Sequence, residues 1–514
     1  MPEAVAAYRR LWSGVSPFHE PNLYSGHYSL LRDPAALAVW SPLSLLSSPL
    51  ALTRWYFALI EPIAILNLTL AATAFGWLLV YLRNHPTVEG MKAPLGDFST
   101  LSDRRIVWIA LSYAFSAWAL IVGTSWHMFL ANEAALPLVL LALVHQRRGA
   151  GITLGTAAIA YGMLAGHLDP ALWTFLLGSL FVCGFCFVTR SAEPLRRWAT
   201  SAALAVLVLS PLLWPAFTSF SASGRSLPLS IQGASALNVP WLVLPISYFL
   251  GSLSLASGQV FRLGYLSAGH SYAIGACLAA GGLWHGIAGR RHTAFEKLLL
   301  LLAGLTVVCI IRPYALGWIL HQLPLLRSLR WPFREILFLH LWTHLYIASR
   351  PVSIPVRWRH LTAGASALAW AASLLTFGAP TLNLMPLDRD LLFSGEAARF
   401  WAARRAEAPP GTVWVPCAPL DWARHRQTQV PFTLLGAYDY PALFGAPSVS
   451  GYAIPGLTPN WTHFSGVYSP RDRDALLSRD ARARSVSLAS LTPLRLELEW
   501  RGGRKELPDL ARLP

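Results

Sequence analysis

Long apolar runs separated by short polar turns fill the middle of the chain. They are centred on Trp55–Leu82, Ile106–Val122, Met128–Val144, Ile152–Ala165, Leu172–Val188, Ala199–Phe217, Ser271–Ala288, Leu298–Ile311, Ile336–Ala348 and Leu361–Phe377. Each approaches the roughly 20 residues that a helix needs to cross a bilayer, allowing for tilt. The pattern predicts a polytopic α-helical membrane protein of about ten spans. Val239–Ala256 is also apolar, but Pro240 and Pro245 break it, which predicts an interfacial or re-entrant piece rather than a crossing. Gly151, Gly155, Ala158, Gly162 and Gly166 fall on one face of a single span, where small residues let helix backbones approach closely.

The pattern changes at both ends. Residues 1–54 are polar to amphipathic, and a bundle is expected over 55–379. After Thr381 the apolar runs stop. Glu396–Ala406 reads as a short helix, and Thr412–Pro416, Val430–Leu435 and Ser448–Tyr452 read as short strands between Pro and Gly turns. Residues 380–514 are therefore expected to form a small α+β domain. The overall expectation is a helical membrane bundle followed by that domain.

Composition agrees with a membrane protein. The chain is 54% hydrophobic and 13% charged, where soluble domains carry roughly 25% charged residues. The net charge of +16 comes from 41 Lys and Arg against 25 Asp and Glu. These bases are mostly Arg in short turns, a pattern of loop orientation rather than of a nucleic-acid groove. Arg147-Arg148, Arg190 with Arg196-Arg197, Arg290-Arg291 with Lys297, and Arg350 with Arg357 and Arg359 mark alternate loops as cytoplasmic. Parity then puts 1–54 and everything after Ala379 outside. An outside amino terminus calls for a preceding helix, so a missing upstream span is a further expectation. Cys183, Cys186, Cys277 and Cys309 lie in apolar segments, which suggests buried packing cysteines, and no disulfide framework is implied.

Candidate chemistry gathers on the predicted outer face. The opening stretch offers His19, Glu20, His27, Arg32 and Asp33. A transferase using a phosphate-linked lipid donor needs a carboxylate as general base and cations for the leaving phosphate. Asp33-Pro34 also fits a helix cap over Ala35–Trp40, and Glu20 an ordinary loop carboxylate. His127, Asn132 and Glu133 lie at the outer end of a span, and Glu133 sits within its apolar run, where ionisable groups are functional or paired. His167-Leu168-Asp169-Pro170 makes a tight turn that suits a cap or a site. Arg330-Trp331-Pro332-Phe333-Arg334 suits a lipid phosphate, or headgroup anchoring. His340 and His344 have metal-compatible spacing without an intervening acid and read as bundle-facing; no metal ligands are assigned.

Four of these stretches carry a resemblance. Asn22–Leu46, with its Tyr-Ser-Gly, Asp-Pro and Ser-Pro-Leu order, resembles the first external loop of YfhO-type bacterial membrane proteins, which are similar to GT-C glycosyltransferases. Gly166–Pro170, Arg330–Arg334 and Gly445–Tyr452 resemble, in the same order, that family's polar turn, its Arg-aromatic-Pro-aromatic-Arg segment and its Ser-Val-Ser-Gly-Tyr signature. Asp169 stands where the family often has Gln, and the family's early acidic residue has no match beyond Glu20 or Asp33.

The resemblance implies an enzyme of the bacterial cytoplasmic (inner) membrane, with its active face and carboxyl-terminal domain extracytoplasmic. It would transfer a sugar from a polyprenyl-phosphate-linked donor to a cell-envelope acceptor: glycopolymer, lipid or protein. Asp33 or Glu20 would be the base and Arg330 and Arg334 would hold the donor phosphate. His27, His127, Glu133, His167, Asp169 and Tyr452 would line the cleft. No cofactor is identified, and a divalent cation is compatible with the reaction. The expected partners are the lipid-linked sugar, the acceptor and the lipid bilayer, with no nucleic acid. The alternatives are a transporter or flippase of a lipid-linked glycan and a non-catalytic subunit of an envelope-glycan assembly system.

Overall fold

The computed structural model describes residues 2–17, 19–20, 28–29, 39–53, 60–87, 95–116, 119, 128–166, 168–221, 228–235, 292–324, 326–328, 335–350, 395–407 and 444–445. The chain divides into two compact units. One comprises residues 1–60, 211–227 and 382–514; the other comprises 61–210 and 228–381.

In the first unit, α1 (Pro2–Trp12) carries Arg9 and Arg10 in its last turn, where cations complement the helix dipole. The Tyr8 hydroxyl donates to the Val39 carbonyl and the Trp12 indole N–H to Ser48 Oγ at 3.2 Å. Helix α1 thus lies against α2 (Pro42–Ser47) and the following 3-10 turn Ser48–Leu52. Ser41 caps α2 by accepting the Ser44 N–H, with Pro42 at the first helical position. The strands β1 (His19–Glu20) and β2 (Tyr28–Ser29) pair antiparallel, and theirs is the sheet among the described residues. Residues 35–38 of the expected helix Ala35–Trp40 and the expected strands after Thr412 lie outside the described residues. The carboxyl-terminal helix is present as α13 (Glu396–Glu407, numbered after the helices below); Phe400 and Trp401 are buried and Arg405 reaches the Gly445 carbonyl at 3.1 Å.

The second unit is helical. Its elements are α3 (Ile60–Asn84), α4 (Asp103–Ala114), α5 (Met128–Val144), α6 (Arg148–Leu164), α7 (Leu168–Thr189), α8 (Glu193–Ser221, whose last turns belong to the first unit), α9 (Ile231–Ser235), α10 (Ala294–Ile311), α11 (Tyr314–Gln322) and α12 (Ile336–Ala348). Among the described residues, four stretches are long and apolar enough to cross a membrane: Pro62–Asn84, Pro170–Thr189, Glu193–Thr218 and Ala294–Ile311. Met128–Val144 and Ile336–Ala348 are shorter apolar helices. Ile65, Trp77, Phe187, Leu207, Val208, Trp214 and Leu301 are exposed on the long helices. Apolar surface on that scale is stable against lipid, not water. A helical membrane protein therefore stands.

Helices α5 and α12 form the interior. Almost every residue of α5 is buried, as is all of α12. Helix α6 packs along α5 through its small-residue face, and a Cβ on Gly151 would come within 2.6 Å of the Ala142 carbonyl. The sequence expectation for that face is met: Gly151, Gly155, Ala158, Gly162 and Gly166 are all buried. Helices α7, α4 and α5 contact α10 or α12, and α10 pairs closely with α12.

Three expectations change. Helix α4 ends at Ala114, inside the run expected to reach Val122; Ser116 Oγ accepts the Ala119 N–H as a helix N-cap does, Ala119 is again helical, and residues 120–122 lie outside the described residues. Two expected loops contain helices too short to register as spans, α9 and α11, which pack on each other. Cys183 is exposed and Cys186 half-buried, so this pair is not core packing; it lies on the apolar outer face of α7 near Phe187.

Candidate functional site

Three sets of polar contacts among the described residues involve helices α4, α5, α10 and α12. Two are at the ends of the α10–α12 pair. At one end, Thr293 and Glu296 form a capping box: Thr293 Oγ accepts the Glu296 N–H at 3.1 Å, and Glu296 Oε2 accepts the Thr293 N–H at 2.8 Å. The buried Glu296 carboxylate also takes Arg350 Nη2 at 3.1 Å and the Ser349 hydroxyl at 3.3 Å. Arg105 donates to the last α12 carbonyls, at 2.8 Å to Ile347 and also to Arg350. Burial pushes the Arg105 guanidinium below its ordinary value, with Asp97 opposing the shift. Thr293 Oγ donates to the Leu95 carbonyl at 2.9 Å, and Asp97 N–H to the Ser349 carbonyl at 3.0 Å. Every one of these contacts closes a helix end.

At the opposite end, α10 stops at Arg312 in the left-handed region (φ +46°), just before Pro313. Its guanidinium is wholly buried and meets Glu335 at the start of α12, 3.0 Å away. This pair therefore fixes the residue that directly follows Arg334.

The third set lies inside the bundle. Pro137 in α5 has no N–H, so the Glu133 carbonyl four residues earlier loses its helical donor. The Tyr113 hydroxyl of α4 supplies one, at 2.9 Å. Beside it, Asn132 Nδ2 donates at 2.9 Å to the Gly162 carbonyl in the last turn of α6, and Gly166 leaves room for that side chain: a Cβ there would lie 2.3 Å from Asn132 Oδ1. His344 Nδ1 donates to the His340 carbonyl at 2.7 Å, so its Nε2 accepts the Ser112 hydroxyl at 2.9 Å. Tyr113 stacks on Phe75 with centroids 4.5 Å apart and meets His344 edge-on at 6.0 Å.

One group at this level differs. Glu133 has no exposed surface, and neither carboxyl oxygen has a hydrogen-bond partner. No cluster of three or more His, Cys, Asp or Glu suited to a metal occurs among the described residues.

Of the residues expected from the sequence, Glu133 is placed with its side chain. Glu20 lies in β1, opposite Tyr28, and Asp169 in the first turn of α7; their side chains are outside the description. Asp33, His27, His127, His167, Arg330, Arg334 and Tyr452 are outside the described residues. Arg312, Glu335, Glu296 and Arg350 were not singled out as interacting groups. Thr293-Ala-Phe-Glu296 carries a readable capping-box signal, and Arg312-Pro313 after an apolar run marks a helix end.

Compared with known proteins, the chain matches no family model, no curated protein and no solved structure.

Proposed function

We propose that the chain is an integral-membrane glycosyltransferase of GT-C type, acting at the outer face of a bacterial cytoplasmic membrane through about ten spans. The acceptor hydroxyl oxygen attacks the anomeric carbon of a polyprenyl-phosphate-linked sugar. The bond from that carbon to the phosphate oxygen breaks, the polyprenyl phosphate leaves, and the hydroxyl proton passes to Asp33 or Glu20. Arg330 and Arg334 hold the leaving phosphate.

The observation that supports this reading best is the Arg312–Glu335 pair. It fixes Glu335, the next residue in sequence after Arg330–Arg334, at one end of the α10–α12 pair, which supports a phosphate-binding role for those arginines there. The grouping of residues 1–60 with 382–514 in one unit supports a joint role for the opening stretch and the tail. In the test, purified full-length protein is given polyprenyl-phosphate sugars and acceptor, and release of the carrier phosphate is followed. Release is expected, and Asp33→Asn and Arg334→Ala should abolish it. Full activity in both variants overturns the assignment.

One observation favours a second reading, movement of a lipid-linked glycan without bond chemistry: α5 carries a buried acid and an interrupted hydrogen-bond ladder inside a span. Glycan transfer across vesicle membranes with no new glycosidic product would select it.

A further inference from the structure

Glu133 is set apart by its surroundings. Three polar groups at its level have partners. Its own carbonyl, stranded by Pro137, takes the Tyr113 hydroxyl. The adjacent Asn132 holds the end of α6 through the Gly162 carbonyl. On α12, His344 has a partner at each ring nitrogen. The carboxyl between these satisfied groups has neither partner nor exposure.

Among the described residues, the elements packed against α5 give the Glu133 carboxyl no ion-pair partner. Helix α4 brings Tyr113, whose hydroxyl is committed to a carbonyl. Helix α6 carries Tyr161, bonded to Asn67, and Arg148, 3.4 Å from Glu193 in its first turn. Helix α12 brings His340 and His344, stacked on each other with centroids 5.8 Å apart. Helix α7 has Asp169 in its first turn and Cys183 and Cys186 further along. None of the described side chains forms an ion pair or hydrogen bond with the Glu133 carboxyl. A bare carboxylate in such a place is strongly disfavoured, and the group takes up a proton instead.

We propose that Glu133 is a buried proton-binding site, a neutral carboxylic acid held in the bundle interior beside the Pro137 interruption of α5. The proposal stands independently of the glycosyl-transfer reading. The interruption gives the acid a place where the helix can open and exchange its proton, which is the use made of acids inside membrane spans that carry protons.

A hydrophobic carbodiimide tests this on the full chain in detergent or vesicles. The acid O–H adds across an N=C bond of the reagent, and the adduct rearranges to an N-acylurea with nothing leaving. The reaction needs the protonated acid in an apolar setting. With dicyclohexylcarbodiimide at neutral pH, peptide mapping should find the adduct on Glu133, and a water-soluble carbodiimide should leave that residue unlabelled. Glu133→Gln should lose the adduct. In the unmodified protein, an infrared carbonyl band of a protonated carboxylic acid should be present at neutral pH and absent in the same variant. If labelling falls on other carboxyls and spares Glu133, or if the infrared spectra of the two proteins do not differ in that band, the proposal is overturned.

Discussion

The ends of the α10–α12 pair and the Glu133 level of α5 treat buried acids in opposite ways. At the ends, Glu296 and Glu335 each face an arginine at 3.1 and 3.0 Å. In α5, Glu133 has no hydrogen-bonding or ion-pair partner among the described residues. All three side chains are withdrawn from solvent. The difference separates acids that hold helices together from an acid that holds nothing. A buried ion pair with further hydrogen bonds is a structural device, whereas an unpartnered acid at the same depth implies a ligand, and a proton is the smallest one.

Substitutions can break or sharpen this contrast. The largest effect is expected from Arg312→Ala, which strands Glu335 as a buried charge; unfolding in a denaturing detergent titration should show a loss of about 3–5 kcal/mol. A loss no larger than that of an exposed Arg148→Ala control would mean the pair is not formed. Arg350→Ala should cost less, about 1.5–3 kcal/mol, because Glu296 keeps the Thr293 N–H and the Ser349 hydroxyl. The same titration checks it, and an effect equal to that of Arg312→Ala would erase the distinction between the two ends.

Tyr113→Phe comes next, at about 1–2 kcal/mol, since it leaves the Glu133 carbonyl without a donor. Pro137→Ala restores a helical N–H to that carbonyl, so the Tyr113→Phe penalty should shrink in that background. A double-mutant cycle measures the coupling, and strict additivity would show that Tyr113 does not fill the proline gap. A similar repair is seen in α8, where the Ser210 hydroxyl donates at 2.8 Å to the Leu207 carbonyl, the group left open by Pro211. The two proline breaks differ in where the donor comes from. In α8 it lies on the same helix; in α5 it comes from a neighbour, which ties α4 to the level of Glu133.

Much of the helical framework was legible. The carboxyl-terminal end of Met128–Val144 and both ends of Ile336–Ala348 were legible because their apolar runs stop at charged or turn residues there. The α6 glycine face was legible because its four-residue spacing survives any choice of neighbour. The break after Ala114 within the run Ile106–Val122 was not legible because Ser116, one hydroxyl within an apolar run, changes the backbone without changing the hydropathy. Partnerships were the least legible part. Ser112 and His344 are 232 residues apart, Glu296 and Arg350 54 apart, and no periodicity selects such pairs. Glu133 could be picked out as an acid in an apolar run, but its isolation depends on where four other helices put their polar groups. Pro137 was a signal that went unused: a proline inside a span directs attention to the carbonyl four residues before it.

The most direct test of the contrast is the unfolding free energy of Glu133→Gln measured beside Glu335→Gln under identical conditions. If Glu133 is already neutral, its amide replacement is nearly isosteric and uncharged, and stability should stay within about 1 kcal/mol of the unsubstituted protein. Glu335→Gln should instead lose several-fold more, about 3–5 kcal/mol, by stranding Arg312. Equal losses in the two variants would show that Glu133 carries a charge with a partner of its own, and would contradict the account.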